Sequence, residues 1–202
     1  MLVDELLLKC CDSLFLINES VLELADNPQS KLKHASKQQL VSGKIVILQQ
    51  LIDKLGKKGQ KLIVCSRYRP MLMLLKKFLK ETGVPCFMHQ EGLSIDSVYR
   101  FNLYSGQAIF LFEIGEQPNK EFSTMFDFDF TQNVVIFDSK GEPVNDLLSL
   151  LQVCRVPFSV KVSVYRMITQ NSYEQMLHQR FLRKRDVHHA IFNSQAQPQI
   201  WS

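Results

Sequence analysis

Apolar positions recur along this chain in two alternating rhythms. From Ser42 to Gly56, Ile45, Leu48, Leu51, Ile52 and Leu55 stand at helical spacing, so the segment predicts a helix with one buried face. Ser42 suits its N-cap and Gly56 its end. The run Lys61–Cys65 predicts a buried strand. Met71 to Leu79 predicts a helix, with Leu72, Leu75, Phe78 and Leu79 inward and Lys76, Lys77 and Lys80 outward. A short strand follows at Val84–Met88, placed near a sheet edge because Pro85 has no N–H to donate. The alternation continues with a helix over Ser97–Leu103, strands at Ala108–Phe112 and Val134–Phe137, a helix over Val144–Val153 and a strand at Val162–Ile168. A last long helix carries Tyr173, Leu177 and Phe181 four apart, and Asn171-x-x-Glu174 resembles a capping box at its start.

Short strands alternating with helices imply crossover connections and a parallel sheet, hence an α/β fold with helices flanking the sheet. The polar stretch Asp26–Ser36 separates a short helical arm from this unit. The expected organisation is an arm and linker over 1–41, the α/β lobe over 42–170, and a C-terminal helix and tail over 171–202 that packs back on the lobe. In parallel sheets, ligands gather beyond the carboxyl ends of the strands. The segments to watch are Ser66–Arg69, His89–Gly92, Glu113–Glu116 and Asp138–Gly141.

The 202 residues suffice for one generous domain, and 46% hydrophobic content supports a folded core. No apolar run reaches the roughly 18 residues needed to span a bilayer, so no membrane partner is expected. The acidic N-terminus is unlike a secretion signal. The five cysteines contain no C-x-x-C pair, which points to a reducing compartment and away from a disulfide scaffold or zinc ribbon.

Net charge is only +4, but its distribution is uneven. Residues 31–90 carry thirteen bases and two acids, whereas residues 91–146 carry three bases and ten acids. The basic block is a candidate for phosphate contact, weighed against an ordinary solvated lysine-rich face.

No phosphate-binding G-x-x-x-x-G-K-[ST] occurs. Ser42-Gly43-Lys44 and Gly56-Lys57-Lys58-Gly59 lack its spacing. The histidines have no cysteines at zinc spacing, so no metal site is expected. Asp127 and Asp129 alternate with Phe126, Phe128 and Phe130, which favours an aromatic-acidic strand or loop over a cation site. Ser66-Arg67-Tyr68-Arg69 lies between a strand and a helix opened by Pro70. Helix N-terminal amides and two arginines there form a candidate phosphate site, set against arginines merely flanking a turn.

The order of these segments resembles the second RecA-like (helicase C-terminal) lobe of the SWI/SNF-related superfamily 2 helicase-like chromatin-remodelling ATPases. Lys9-Cys10-Cys11-Asp12 is similar to the family's K-C-C-N, Ser42-Gly43-Lys44 to its S-G-K, and Glu91-Gly92 to its D-G. Leu62–Ser66 fits its strand ending in F-S. Phe137-Asp138-Ser139 through Asn145-Asp146 is similar to Y-D-S-D-W-N-P-x-N-D. Val162–Thr169 and Asn171–Glu174 fit V-K-V-Y-R-L-x-T and N-T-x-E. The resemblance implies a RecA-like fold over nearly the whole chain.

The ATP-contacting motifs depart from the family pattern. In its Q-A-x-x-R-x-H-R-I-G-Q, two arginines reach ATP held on the other lobe. Here the first is Gln152 and the second is Arg155; Leu148, Cys154, Pro157 and Phe158 replace other members of the motif. The family's glycine-rich S-T-x-A-G-G-x-G-I-N-L is replaced by the acidic Glu113–Phe122. An arginine finger is worth about 10³–10⁵ in rate, so these losses imply a degenerate, non-enzymatic lobe.

The expected function is a helicase-like, pseudo-ATPase module of a chromatin-associated nuclear protein. It would bind DNA without sequence preference, dock chromatin proteins, or both. The alternatives are the ATP-hydrolysis lobe of a divergent remodeller whose first lobe lies outside this chain, and a purely protein-binding scaffold. Nucleic-acid contact is expected at Ser66, Arg67, Arg69, Lys57 and Lys58, and partner docking at Phe126, Phe128 and Phe130. No catalytic residue or cofactor is expected, with ATP relevant only beside an intact first lobe. Arg155 remains as a finger remnant and is expected to pair structurally with Asp138 or Asp146.

Overall fold

A computed structural model describes residues 2–17, 42–88, 94–114, 128, 131–139 and 161–195. The arm begins with α1 (Leu2–Asp12) and a 3-10 turn (Leu14–Ile17). The lobe then runs through α2 (Gly43–Gly56), β1 (Leu62–Ser66), α3 (Arg69–Thr82), β2 (Cys86–Met88), α4 (Ser94–Leu103), β3 (Ile109–Glu113), β4 (Asn133–Ile136), β5 (Ser163–Arg166) and α5 (Tyr173–Gln195). The five strands form one parallel sheet in the order β2-β3-β1-β4-β5. The strand with Pro85 just before it takes an edge, as expected. The Val144–Val153 segment lies outside the described residues.

Period-two alternation along the buried strands divides the core into two layers. Leu62 and Val64 of β1, Ile109 and Leu111 of β3, and Val135 of β4 pack with Ile45, Leu48 and Ile52 of α2 and Leu72, Leu75 and Leu79 of α3. On the other face, Ile63, Cys65, Phe110, Phe112 and Val134 pack with Val98 and Phe101 of α4 and with Phe128. β1, β3 and β4 therefore read as near-continuous apolar runs, because both faces are covered. Each such side chain contributes about 1.5–3 kcal/mol by leaving water.

Local signals set the element ends, in one case differently from expectation. The Ser42 hydroxyl accepts from the Ile45 N–H at 3.4 Å and so caps α2. Gly83, at φ 74, closes α3 in the left-handed conformation that glycine adopts without strain. Gly56 is the last residue of α2, as expected, and serves a second purpose. A Cβ there would lie 2.5 Å from Gln107 Oε1, so the glycine admits the side chain that donates to the Ile52 carbonyl at 2.6 Å. The capping of α5 is shifted by one residue from the expected Asn171…Glu174 pair. Ser172 precedes the helix and its hydroxyl accepts from the Gln175 N–H at 3.4 Å. That shift leaves Glu174 available to the interior.

Candidate functional site

β1 delivers Ser66 to the carboxyl edge of the sheet, and β4 delivers Asp138 beside it two residues after its end. The Ser66 hydroxyl donates to Asp138 Oδ2 and accepts from the Tyr68 N–H at 3.1 Å. Asp138 Oδ1 accepts from the Arg67 N–H at 2.9 Å and lies 3.4 Å from Arg67 Nε. This is the turn where an external phosphate was expected. The anion at the start of α3 comes from within the chain, as the carboxylate of Asp138, held by amide and hydroxyl donors and paired in charge with the Arg67 guanidinium.

Two of the expected nucleic-acid contacts are thereby corrected. Ser66 is fully buried, and the Arg67 side chain is only 12% exposed, folded onto Asp138 and over the Tyr68 ring. Their donors are directed inward, because the buried carboxylate needs them. Arg69 is half-exposed and pairs with Glu113 at 3.4 Å. Lys57 and Lys58 are exposed, but they precede β1 and so stand at the opposite edge of the sheet. The five residues do not form one surface.

A second buried cluster adjoins the first. Lys44, in the first turn of α2, donates to Asp12 Oδ1 and Glu174 Oε1, each at 2.6 Å, and to the Phe137 carbonyl at 2.9 Å. Glu174 Oε2 accepts from the Thr169 N–H at 2.8 Å. All three ionic side chains are nearly inaccessible. They join α1, α2 and α5, and Phe137 links them to the Asp138 turn. Sequence reasoning singled out Asp12, Lys44 and Glu174 as motif letters without bringing them together. Their shared buried partner is a long-range contact that no spacing rule reports.

The electrostatics follow from burial. Three acids, Asp12, Asp138 and Glu174, share two cations, Lys44 and Arg67. Burial, reinforced by the charge of Asp138, pushes the Asp12 carboxyl up to about 8 despite the opposing pull of Lys44. Asp12 Oδ2 is buried with no hydrogen-bond partner, so no donor stabilises charge on that oxygen. Burial also raises Asp138, against the pull of Ser66 and Arg67. For Lys44, burial favours the neutral amine, but the combined attraction of Asp12 and Glu174 prevails and raises it. Burial lifts the Tyr68 phenol to about 12.

Phe128 corrects another expectation. It is 4% exposed and meets Phe110 edge-on at 4.9 Å, with Phe101 and Phe112 at 6.0 and 6.3 Å. It is a core residue, because the aromatic face of the sheet needs a cover there. Phe126, Phe130, Arg155 and Asp146 lie outside the described residues, as do His89–Gly92. Among the described residues no cluster of His, Cys, Asp and Glu is arranged to hold a metal, and no helix is long and apolar enough to cross a membrane.

No family model matches the chain. Human chromodomain-helicase-DNA-binding protein 1 is 28% identical over 188 residues, which cover 91% of this chain and 10% of that protein. Chicken chromodomain-helicase-DNA-binding protein 7 is 28% identical over 202 residues, covering 92% of this chain and 6% of that protein. The chain thus spans a tenth or less of the relatives it matches. In fold it is similar to the C-terminal part of the Fun30 ATPase domain, with a TM-score of 0.65 and 21% identity over 81% of this chain and 53% of that one. The five-stranded parallel sheet has the RecA-like fold of that C-terminal lobe, and nearly the whole sequence is similar to a segment of the chromodomain-helicase-DNA-binding proteins.

Proposed function

We propose that this lobe is a non-catalytic module of a chromatin-associated nuclear protein, binding DNA without sequence preference and offering a platform to protein partners. The observation that carries the reading is Gln152 in place of the first of the family's two arginines, which removes a cation from the charge that develops in phosphoryl transfer. The acidic Glu113–Phe122 segment in place of a glycine-rich loop points the same way. At the carboxyl edge, Arg67 and Arg69 face Asp138 and Glu113 of the chain itself. The names of the relatives, which pair helicase with DNA binding, support DNA as the partner class.

The test is DNA-stimulated ATP hydrolysis by the protein in its full natural length, with and without Arg155→Ala. The expected result is no stimulated hydrolysis above background and no effect of the substitution. Hydrolysis that falls with Arg155→Ala overturns the non-catalytic reading. The DNA half predicts affinity for a random duplex that falls with salt at a slope of about −0.9 per phosphate neutralised. Absence of binding at low salt removes it.

A further inference from the structure

We infer that the solvent face of α5 is a contact surface for the sugar-phosphate backbone of a nucleic-acid duplex. The inference rests on the proposed DNA-binding reading and locates it on an element that the basic 31–90 block does not include.

The helix has two unlike sides. Its inward side holds the buried Glu174 on Lys44 and the partly covered Leu177, His178, Phe181 and Leu182. Its outward side exposes Arg180, Arg183, Lys184 and Val187, which recur at the spacing that aligns residues along one helical stripe. Arg185 is exposed beside them and pairs with Asp186 at 3.2 Å. From 176 to 187 the helix therefore shows four cations and one acid to solvent. Glu174, the other acid of this helix, is taken into the interior by Lys44 and does not offset that charge.

Of the neighbours, Asp4 of α1, which accepts from the Tyr173 hydroxyl at 2.7 Å, faces Arg180 at the start of the helix, whereas Arg166 extends the positive surface. The Arg166 guanidinium, at the carboxyl end of β5, lies 4.6 Å from the centre of the Phe181 ring. It thus stands between the sheet edge and the basic stripe. The same contact argues for a duplex over a single strand. Single-strand binding relies on aromatic faces on which bases stack. Phe181 is covered by Arg166 and stacks on His178 at 5.7 Å, so its ring offers no open face to a base. Cations without a stacking platform suit a phosphate backbone, where contacts position a protein without reading bases.

The experiment measures binding of the chain to a fluorescent random-sequence DNA duplex across a salt series. The variants are Arg180→Gln/Arg183→Gln/Lys184→Gln, the smaller Arg183→Gln/Lys184→Gln, and Lys57→Gln/Lys58→Gln as a comparison. Glutamine keeps helix propensity, and circular dichroism checks the fold. The triple variant is expected to weaken duplex binding about tenfold or more and to reduce the slope of log K against log salt by about 2–3. The double variant is expected to reduce it by about 2. Wild-type binding with an unchanged slope in both α5 variants overturns the inference while leaving DNA binding intact. Preference for the single strand, or equal displacement by poly-glutamate at matched charge, also overturns it, the latter in favour of an acidic protein surface. No duplex binding by the wild-type chain removes the inference and the DNA reading together.

Discussion

Lys44 Nζ lies 2.6 Å from Glu174 Oε1 with both side chains buried, although 130 residues separate them in the chain. The same ammonium holds Asp12 of α1 and the carbonyl of Phe137 at the end of β4. One cation thus fastens the N-terminal arm and the C-terminal helix to the sheet. A buried pair is a poor net source of stability, yet removing one partner leaves the others uncompensated.

Lys44→Ala is therefore expected to destabilise the chain by about 3–5 kcal/mol in urea unfolding, far more than removal of an exposed lysine such as Lys58. Hydrogen exchange should show the loss first in α1 and the start of α5. Equal effects of the two substitutions would remove the clamp.

Asp12 makes stability depend on pH. Its carboxyl is raised from 3.8 to about 8 in the folded chain, chiefly by burial. Between those values the folded state holds a proton that the unfolded state has released, so this group's contribution is full below pH 3.8 and is lost as pH rises to about 8. Asp12→Asn keeps an acceptor for Lys44 but removes the titration. The wild type is expected to lose stability relative to this variant across the window, with a slope of at most about 1.4 kcal/mol per pH unit. Parallel pH profiles of the two proteins would show that Asp12 does not titrate in the window.

Phe128→Ala is expected to cost about 3–5 kcal/mol, because it leaves a cavity among Phe101, Phe110 and Phe112. A docking residue would lose partner binding at unchanged stability. Thermal unfolding of the free chain separates the two roles.

Gly56 and Gln107 should be coupled. Gly56→Ala alone displaces the Gln107 side chain and breaks its bond to Ile52, a loss of about 1 kcal/mol. In a Gln107→Ala background the obstacle is gone, and alanine should be neutral or stabilising by up to about 1 kcal/mol. A double-mutant cycle measures this, and additivity would exclude the steric account.

The alternation of strands and helices was legible from Ser42 to Leu79 because apolar periodicity there coincides with a cap, a proline and glycines. The parallel sheet followed from connection length, and the edge position of Cys86–Met88 from Pro85. The candidate site was legible only as letters. Ser66 and Arg67 looked like phosphate ligands because a turn with free amides and an arginine attracts anions, and one-dimensional reading does not say which anion arrives. Phe128 looked like a docking residue because alternation with acids marks a half-buried segment without naming its cover.

The fold class of the lobe, its element order and its strand alternation arise from local spacing and from which residues avoid water, so they could be read from the amino acids alone. The tertiary structure decided where the charges go. It brought Asp138 into the turn after β1, Glu174 onto Lys44, and the cations of α5 out to solvent. These outcomes depend on which acids and bases meet in a low-dielectric interior, and those meetings join residues 72 and 130 positions apart.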